Sequence, residues 1–207
     1  MLHRLKHEEL QKENKDISTG RRISSLPDKK PEIPDEKQTW ERFLEGDEGA
    51  FIAIYDTYFE ELCHFGIQYV SLTQVEDCIQ DLFIDLRQKR KKLPGIKNSI
   101  RLFLFQCLKR RILNLKKGNR REGVFHESFE FSLPHESLVI FHQEQKERME
   151  KLDRALRSLD AKQREAVYYY FYKGMDYGEI RKLMGYRNVK SVRNLIYRVV
   201  KVLRTHF

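Results

Sequence analysis

Residues 177–204 read YGEIRKLMGYRNVKSVRNLIYRVVKVLR, and the interpretation of the rest of the chain depends on this stretch. Its spacing predicts a short helix, a tight turn at Gly185 and a longer basic helix behind the turn. At 100° per residue, the longer helix separates into an apolar side and a polar side. The apolar side comprises Val192, Leu195, Ile196, Val199, Val202 and Leu203. The polar side comprises Lys190, Arg193, Asn194, Tyr197, Lys201 and Arg204.

Two helices packed across a glycine-containing turn form a helix-turn-helix, whose second helix enters the major groove of DNA. The short helix has its own apolar stripe of Tyr177, Ile180, Leu183 and Met184. Arg, Lys and Asn side chains are suited to phosphates and to the edges of guanine and adenine. An ordinary helical hairpin with a solvated polar face would show the same pattern, so the remaining sequence has to separate the two interpretations.

Composition limits the class of protein. The chain has 207 residues, a formal net charge of +9 and a pI near 9.4, which suggests a polyanionic partner. Charged residues make up 34% of the chain, and this favours helices over a β-rich fold. Cys63, Cys78 and Cys107 are too widely spaced for a disulfide framework or a zinc ribbon. No apolar run approaches the roughly 18 residues that span a bilayer, so we expect a soluble cytoplasmic protein.

The first helices are indicated by apolar spacing that begins near residue 39. Residues 1–36 are polar and contain three prolines, and we expect a disordered N-terminal extension there. Thr39 is predicted to cap the first helix, Gly46 to interrupt it and Asp47 to cap the second. The second helix has an aromatic stripe that we expect in the core: Phe51, Ile54, Tyr55, Tyr58, Phe59, Leu62 and Cys63.

A third helix, over about residues 73–90, has an apolar residue on its polar face. Its buried stripe is predicted to be Val75, Cys78, Ile79, Leu82, Phe83 and Leu86. The opposite face holds Asp77, Gln80, Asp81 and Ile84. A solvated face has no need of an isoleucine, so an apolar residue among acids and an amide indicates a contact surface for a basic partner.

The charge then changes sign abruptly. Residues 38–85 contain eleven acids and one base, whereas residues 87–121 contain fourteen bases and no acid. Within the basic block, apolar residues recur at helical spacing: Ile100, Phe103, Leu104, Cys107, Leu108, Ile112 and Leu115. A folded helix with a basic, aromatic-bearing surface is therefore predicted, which is what binding of single-stranded nucleic acid requires.

Periodicity is lost after the basic helix, and residues 119–147 are interpreted as a linker. Helical spacing strengthens again from Glu150, and Asp160 is predicted to cap a helix that ends at Gly174. That helix is expected to carry Ala166, Val167, Tyr170 and Phe171. The predicted fold is all-α: an N-terminal helical bundle over residues 37–118 and a helix-turn-helix domain over 148–207, joined by the flexible linker.

With these pieces in order, residues 40–204 resemble a bacterial sigma-70 family RNA polymerase sigma factor of the extracytoplasmic-function group. VEDCIQDLFIDL, residues 75–86, is similar to the family's helix that docks on the polymerase clamp. RLFLFQCLKRRILNLKK, residues 101–117, is similar to its promoter-melting and minus-ten-reading helix. Residues 159–204 are similar to its minus-thirty-five-reading domain.

The resemblance implies a transcription initiation factor that binds core RNA polymerase, directs it to specific promoters and promotes strand opening. It implies no catalytic site, no cofactor, no metal and no direct membrane insertion. The expected partners are core RNA polymerase, promoter DNA and, in some members, an anti-sigma factor.

The resemblance also assigns residues to three surfaces. The clamp helices of the largest polymerase subunit would be contacted by Asp77, Gln80, Asp81 and Ile84. Minus-ten DNA would be bound by Phe103, Lys109, Arg110, Arg111, Asn114, Lys116 and Lys117. The minus-thirty-five duplex would be bound by Arg187, Lys190, Ser191, Arg193, Asn194 and Arg198.

Three positions depart from the family pattern. Phe103 stands where a Trp is usual, and Arg110 stands where an Asn is usual. Arg181 replaces the Ala that normally follows Glu-Ile in the first helix of the helix-turn-helix. A long charged side chain at that close-packed place must reach outward or widen the angle between the helices, so we expect a slightly more open hairpin.

Two other classes of protein remain as alternatives. A helix-turn-helix repressor or activator would explain residues 177–204, but not the acidic helix followed by the basic one. An enzyme acting on nucleic acid would need a site, yet the seven His are scattered and Asp77 and Asp81 lack a further carboxylate or His suited to a metal.

Overall fold

The computed structural model describes residues 33, 35–96, 99–119, 129–131 and 143–206. The described residues contain eight α-helices and no β-strand, which confirms the predicted all-α fold. The helices are α1 Glu36–Glu45, α2 Glu48–Gly66, α3 Leu72–Lys89, α4 Ile100–Asn119, α5 Gln143–Arg157, α6 Ala161–Val167, α7 Tyr177–Met184 and α8 Val189–Arg204. Nearly all of the expected N-terminal extension and most of the predicted linker lie outside the described residues.

The chain divides into two compact units. The larger unit consists of residues 31–131 and 159–202, so it contains α1 to α4, α6, α7 and most of α8. Of the smaller unit, the structure describes residues 143–158 and 203–206, and α5 is the helix described in it. The domain boundaries at 37–118 and 148–207 stay a prediction.

The first helix begins one turn earlier than predicted. Asp35 is its N-cap and accepts a hydrogen bond from the Gln38 amide at 2.8 Å, whereas Thr39 lies inside the helix, so the predicted Thr39 cap is wrong. Glu36 gives the earlier start a physical reason. Its carboxylate accepts from the Tyr58 hydroxyl at 2.6 Å and from the Ile100 amide at 2.9 Å, which binds the first turn of α1 to α2 and α4.

Helices α2, α3 and α4 pack together and form the core of the first half of the chain. The stripe predicted for α3 is confirmed, because all six of its members are buried. Asp47 caps α2 as predicted, accepting from the Ala50 amide at 3.1 Å. Gly66 allows α2 and α3 to approach closely, since a Cβ added there would lie 2.5 Å from a Val75 methyl carbon.

The helix that follows Asp160 changes its period within its aromatic run. Asp160 caps α6 as predicted, but a π-helical turn over Tyr168–Tyr172 replaces the regular α-helix. The wider turn rotates the aromatics, so Tyr168 and Tyr169 are buried while Phe171 is 56% exposed. Tyr170 is half-buried, so only Phe171 departs from the apolar spacing that the sequence predicts, because that spacing assumed 3.6 residues per turn throughout.

A short piece of the predicted linker is packed against the core. Phe129 and Phe131 are both buried, and their rings lie edge-on to Tyr168 with centroids 5.4 Å and 5.2 Å away. Between them, the Glu130 amide donates to the Gln68 carbonyl at 2.9 Å. The sequence spacing gave no sign of this contact, since two aromatics two residues apart in an irregular segment have no helical period.

Candidate nucleic-acid interface

The turn between α7 and α8 is built from three local signals. Asp176 and Glu179 form a reciprocal capping box at the start of α7, with hydrogen bonds of 2.8 Å and 2.9 Å. Gly185 ends α7 with φ +70°, the left-handed conformation that favours glycine. Asn188 then accepts from the Ser191 amide and hydroxyl, both at 2.9 Å, and so begins α8. The predicted helix, glycine turn and longer helix are confirmed.

The second helix of this pair has the two sides that its sequence predicts. Val192, Leu195, Ile196 and Val199 are buried and pack the helix against the rest of its unit. The exposed residues on the opposite side and in the turn before it are Arg187, Lys190, Arg193, Asn194, Tyr197, Arg198 and Lys201. Ser191 is half-buried, and its hydroxyl donates to the Asn188 side-chain oxygen.

Two features of this surface did not appear among the predicted site residues. Tyr197 is 72% exposed. Its position on the polar side of the helix, one turn after Arg193, could have identified it from the sequence. Tyr177 supports Arg193, whose guanidinium carbon lies 5.6 Å from the Tyr177 ring centroid. Tyr177 in turn stacks on Tyr170 at 5.1 Å with nearly parallel rings. A hydrogen bond to Tyr170 raises the pKa of Tyr177.

Arg181 lies in α7 and is half-buried. The Arg181 side chain is therefore not fully buried, which agrees with the expectation that it reaches outward. The more open hairpin stays a prediction.

The exposed face of α3 places the four predicted polymerase-binding residues together. Asp77, Gln80 and Asp81 are exposed, and Ile84 is 46% exposed among them. Their spacing of three and four residues puts them on neighbouring turns of one face. An apolar side chain surrounded by acceptors is suited to a basic partner surface with an apolar centre.

The basic helix α4 presents its predicted DNA-binding residues unequally. Arg110, Asn114 and Lys117 are exposed, whereas Arg111 is ion-paired with Asp85 of α3. Hydrogen bonds from Lys89 and, to a smaller extent, from Arg111 hold the pKa of Asp85 below its ordinary value. Lys116 is half-buried, with its ammonium 5.9 Å from the Tyr69 ring centroid.

Lys109 is the predicted DNA-binding residue that the structure covers most. Its side chain is 12% exposed, and its ammonium donates to the Leu183 carbonyl of α7 at 2.8 Å and also contacts the Glu165 carboxylate. Arg101, at the start of the same helix, is buried against Glu61 with three hydrogen bonds. The basic block therefore has an exposed part and a part that faces the protein.

Phe103 lies at the edge of an open cavity beside α4. Its ring is half-buried and edge-on to Trp40, with centroids 5.2 Å apart. The Trp40 indole donates to the Pro94 carbonyl at 3.1 Å, so the aromatic pair is fixed to the α3–α4 connection. The cavity has a volume of about 290 Å³ and is lined by Pro94, Gly95, Ile96, Ser99, Leu102, Phe103 and Gln106.

Within the part of the chain that the structure describes, no group of three or more His, Cys, Asp or Glu side chains could hold a metal ion. Among the described helices, none combines the length and apolarity needed to cross a membrane.

The fold and this surface define a helical DNA-binding protein with a C-terminal helix-turn-helix. Residues 149–203 match the family described as Sigma-70, region 4. No curated protein matches the chain by sequence.

Solved structures extend the likeness beyond that region. CnrH, in complex with the cytosolic domain of CnrY, matches with a TM-score of 0.55 at 18% identity, covering 82% of this chain and 95% of that one. The sigma factor RpoE of Bartonella quintana, in complex with the anti-sigma factor NepR, matches with a TM-score of 0.50 at 20% identity, covering 73% and 92%. The predicted resemblance to a sigma-70 factor of the extracytoplasmic-function group is confirmed, by sequence in the C-terminal region and by fold over most of the chain.

Proposed function

We propose that the chain binds core RNA polymerase through the exposed face of α3 and directs it to promoters that it reads at two elements. In this proposal α8 reads the minus-thirty-five duplex and α4 holds the opened minus-ten strand. The observation that carries the proposal is the exposed polar side of α8, presented within the region that matches sigma-70 region 4. The protein contributes binding free energy and no bond chemistry.

Duplex reading by α8 is supported by the kind of side chains on its exposed side. Arg193 and Asn194 lie near its N-terminal end, the part of a recognition helix that contacts base edges. Arg187, Lys190 and Arg198 flank them and are suited to phosphates, and Ser191 is the sixth residue assigned to this surface. A bidentate Arg or Asn contact is worth about 1–3 kcal/mol of discrimination against the wrong base.

Strand holding by α4 is supported by its exposed cations and by the cavity beside it. Arg110, Asn114 and Lys117 form an exposed row to which a phosphate backbone could bind. The cavity at Phe103 has the volume and the aromatic edge to accept an unstacked base. A base held there would favour the opened strand over the duplex, because only the opened strand can occupy the cavity.

Polymerase binding by α3 is supported by Ile84 and the acids around it. Residues 38–85, which include most of α3, contain eleven acids and one base. The clamp surface proposed as the partner of α3 would therefore have to be basic. An anti-sigma factor is a further proposed partner, since RpoE, one of the structural neighbours, is bound to one.

Run-off transcription with core polymerase over a library of promoter fragments tests this function. We expect transcripts only when the chain is added, all starting downstream of a shared pair of elements. Arg193→Ala should change the ranking of fragments at one position of the upstream element, whereas Lys162→Ala, which removes an exposed cation of α6, should leave the ranking unchanged. Binding of DNA without any need for core polymerase would instead make the chain an ordinary helix-turn-helix regulator.

A further inference from the structure

Leu113 is an exposed apolar side chain on the basic helix α4. It is 40% exposed and lies in the second half of the helix, and none of the roles assigned to α4 uses it. Leucine is a good helix former, and a lone exposed leucine needs no partner. Whether Leu113 has one is therefore decided by its surroundings.

Leu113 shares the exposed face of α4 with cations proposed to hold the DNA strand. Arg110 lies three residues before it and Lys117 four residues after it, so both are its neighbours on the helix surface, and both are exposed. Gln106, two turns before Leu113, lines the cavity at Phe103. One face of α4 thus runs from the cavity past Arg110 and Leu113 to Lys117.

The charge around Leu113 favours an anionic partner. Residues 87–121, in which it lies, contain fourteen bases and no acid. Ile84 of α3 is the opposite case, an exposed aliphatic side chain among acids. An exposed apolar side chain among cations fits a partner that is anionic and that also offers an apolar group.

A DNA strand meets both requirements through thymine. Its phosphates are anionic, and the C5-methyl group of thymine is the apolar group by which side chains distinguish this base. An acidic polypeptide would meet them as well. The face that holds Leu113 continues into a cavity suited to an unstacked base, however, and this continuity favours the strand.

The rise of the helix sets the distance between the cavity and Leu113. Phe103, at the edge of the cavity, precedes Leu113 by about 15 Å along α4, at about 1.5 Å per residue. A strand advances about 3.4 Å per nucleotide while its bases stay stacked, and further when they do not. A base at Leu113 therefore lies within about four nucleotides of a base held in the cavity.

We propose that Leu113 selects a thymine in the opened strand by contact with its C5-methyl group, within about four nucleotides of the base held in the cavity. This proposal rests on the proposed function for the strand that α4 holds. It adds a base preference to a face whose cations, Arg110 and Lys117, are suited to phosphates and carry no sequence information by themselves.

Replacement of thymine by uracil tests this contact, because it removes the methyl group and leaves the pairing edge and the backbone unchanged. The probe is a promoter fragment selected by run-off transcription, with its minus-ten segment opened by mismatches. Each dT of the opened strand is replaced in turn by dU. With the full chain bound to core polymerase, we expect one replacement to lower the affinity by about threefold to fivefold, the effect of burying one methyl group.

Variants assign that effect to Leu113. In Leu113→Ala the same replacement should have no effect, and alanine keeps the helix propensity of this position. Leu113→Gln, which keeps much of the length but is polar, should behave in the same way. Ile52→Ala is the matched control, since it truncates an exposed aliphatic side chain of α2, and it should keep the thymine preference of the parent chain.

Three results would overturn the proposal. The parent complex could fail to distinguish dT from dU at every position, or the difference could persist in both Leu113 variants. A fall in polymerase affinity in Leu113→Ala, without any thymine preference in the parent, would instead assign Leu113 to an acidic segment of the polymerase.

A failure of the proposed function gives a different result. If the chain does not bind core polymerase, no promoter fragment is selected, and the free chain is then measured with labelled oligo(dT) and oligo(dU) strands of equal length. Tighter binding of oligo(dT) by the parent chain but not by Leu113→Ala would support the role of Leu113 without the polymerase. An equal preference in the two chains, or none in either, would overturn it.

Discussion

Arg193 lies over the ring of Tyr177, with its guanidinium carbon 5.6 Å from the ring centroid. The ring belongs to the first helix of the helix-turn-helix and the cation to the second, so the contact fixes an exposed side chain of α8 from outside its own helix. Tyr177 is itself held by stacking on Tyr170. An arginine that is oriented before it meets DNA loses less conformational entropy on binding than a free one.

Tyr177→Ala should therefore weaken binding of the upstream promoter duplex by about twofold to fivefold, the value of an exposed cation–π contact of about 0.5–1 kcal/mol. Tyr177→Phe keeps the ring and should retain nearly all of the affinity. Fluorescence anisotropy with a labelled duplex and the polymerase-bound chain gives both values. Equal losses in the two variants would mean that the hydroxyl, and not the ring, matters at this position.

Charge reversal on α3 should abolish polymerase binding and leave the fold intact. Asp77→Arg/Asp81→Arg places two cations beside Ile84 on an exposed face, where no buried contact is lost. Affinity for core polymerase, measured by size-exclusion or interferometry, should fall at least tenfold, since like charges facing a basic partner cost several kcal/mol. Glu41→Arg/Glu45→Arg, at two exposed carboxylates of α1, changes the net charge by the same +4 and is the control. An equal fall in that variant would remove the assignment of the α3 face.

The turn before α8 should be most stable with glycine at residue 185. Gly185 has φ +70°, and no atom lies within 4 Å of a Cβ placed there, so the cost of Gly185→Ala comes from the backbone conformation alone. We expect a loss of about 1–2 kcal/mol in the free energy of unfolding. Gly95→Ala has the same open space without a left-handed φ and should be near neutral in urea denaturation. Equal stability of the two variants would show that the turn can relax.

Two helical glycines should respond in opposite directions to alanine. At Gly66 the added carbon would meet Val75 at 2.5 Å, so Gly66→Ala should overpack the α2–α3 contact and cost about 1–3 kcal/mol. Gly118 lies near the end of α4 with nothing within 4 Å, and Gly118→Ala should stabilise by up to about 1 kcal/mol through helix propensity. Urea midpoints for the two variants check both signs. A neutral Gly66→Ala would indicate that α3 can move away.

Alkaline pH should unfold the larger unit through its buried tyrosines. Burial raises the pKa of Tyr69, Tyr168 and Tyr169 well above the ordinary 10.0, and burial together with Glu36 raises that of Tyr58. In the unfolded chain these hydroxyls ionise at about 10, so the folded state binds more protons above that pH and stability is lost as pH rises. The contribution of Lys173 to stability has the opposite sign. Its pKa is lowered, so this contribution rises as the pH approaches 10.5, but one lysine opposes the four tyrosines.

The measurement for this prediction is the urea midpoint between about pH 8 and pH 11, with tyrosinate absorbance recorded in parallel. The midpoint should fall above pH 10, and tyrosinate from the buried residues should appear only with unfolding. Smooth ionisation of all ten tyrosines without loss of helix would contradict the burial of this cluster.

The parts of the fold that follow a single helical period could be predicted from the sequence. The two sides of α8 and the buried stripe of α3 are as predicted, because periodicity alone decides which residues face the core. The contacts of Glu165 with Tyr69 and Lys109 could not be predicted in this way, since these residues lie 96 and 56 residues before Glu165. Periodicity places Lys109 and Arg110 on a basic helix, but it does not tell which of them a distant segment covers.

The π-helical turn at Tyr168–Tyr172 has a consequence for how this chain can change over evolutionary time. A π turn amounts to one extra residue in an α-helix, and each residue rotates the following segment by about 100°. The buried Tyr169 and the carbonyl of Lys173 are both positioned by that extra residue. Substitutions at exposed places in this turn, such as Phe171, should be neutral by comparison, whereas a one-residue deletion would misdirect every contact after it. The length of this segment is therefore as much a constraint on the sequence as the identity of its tyrosines.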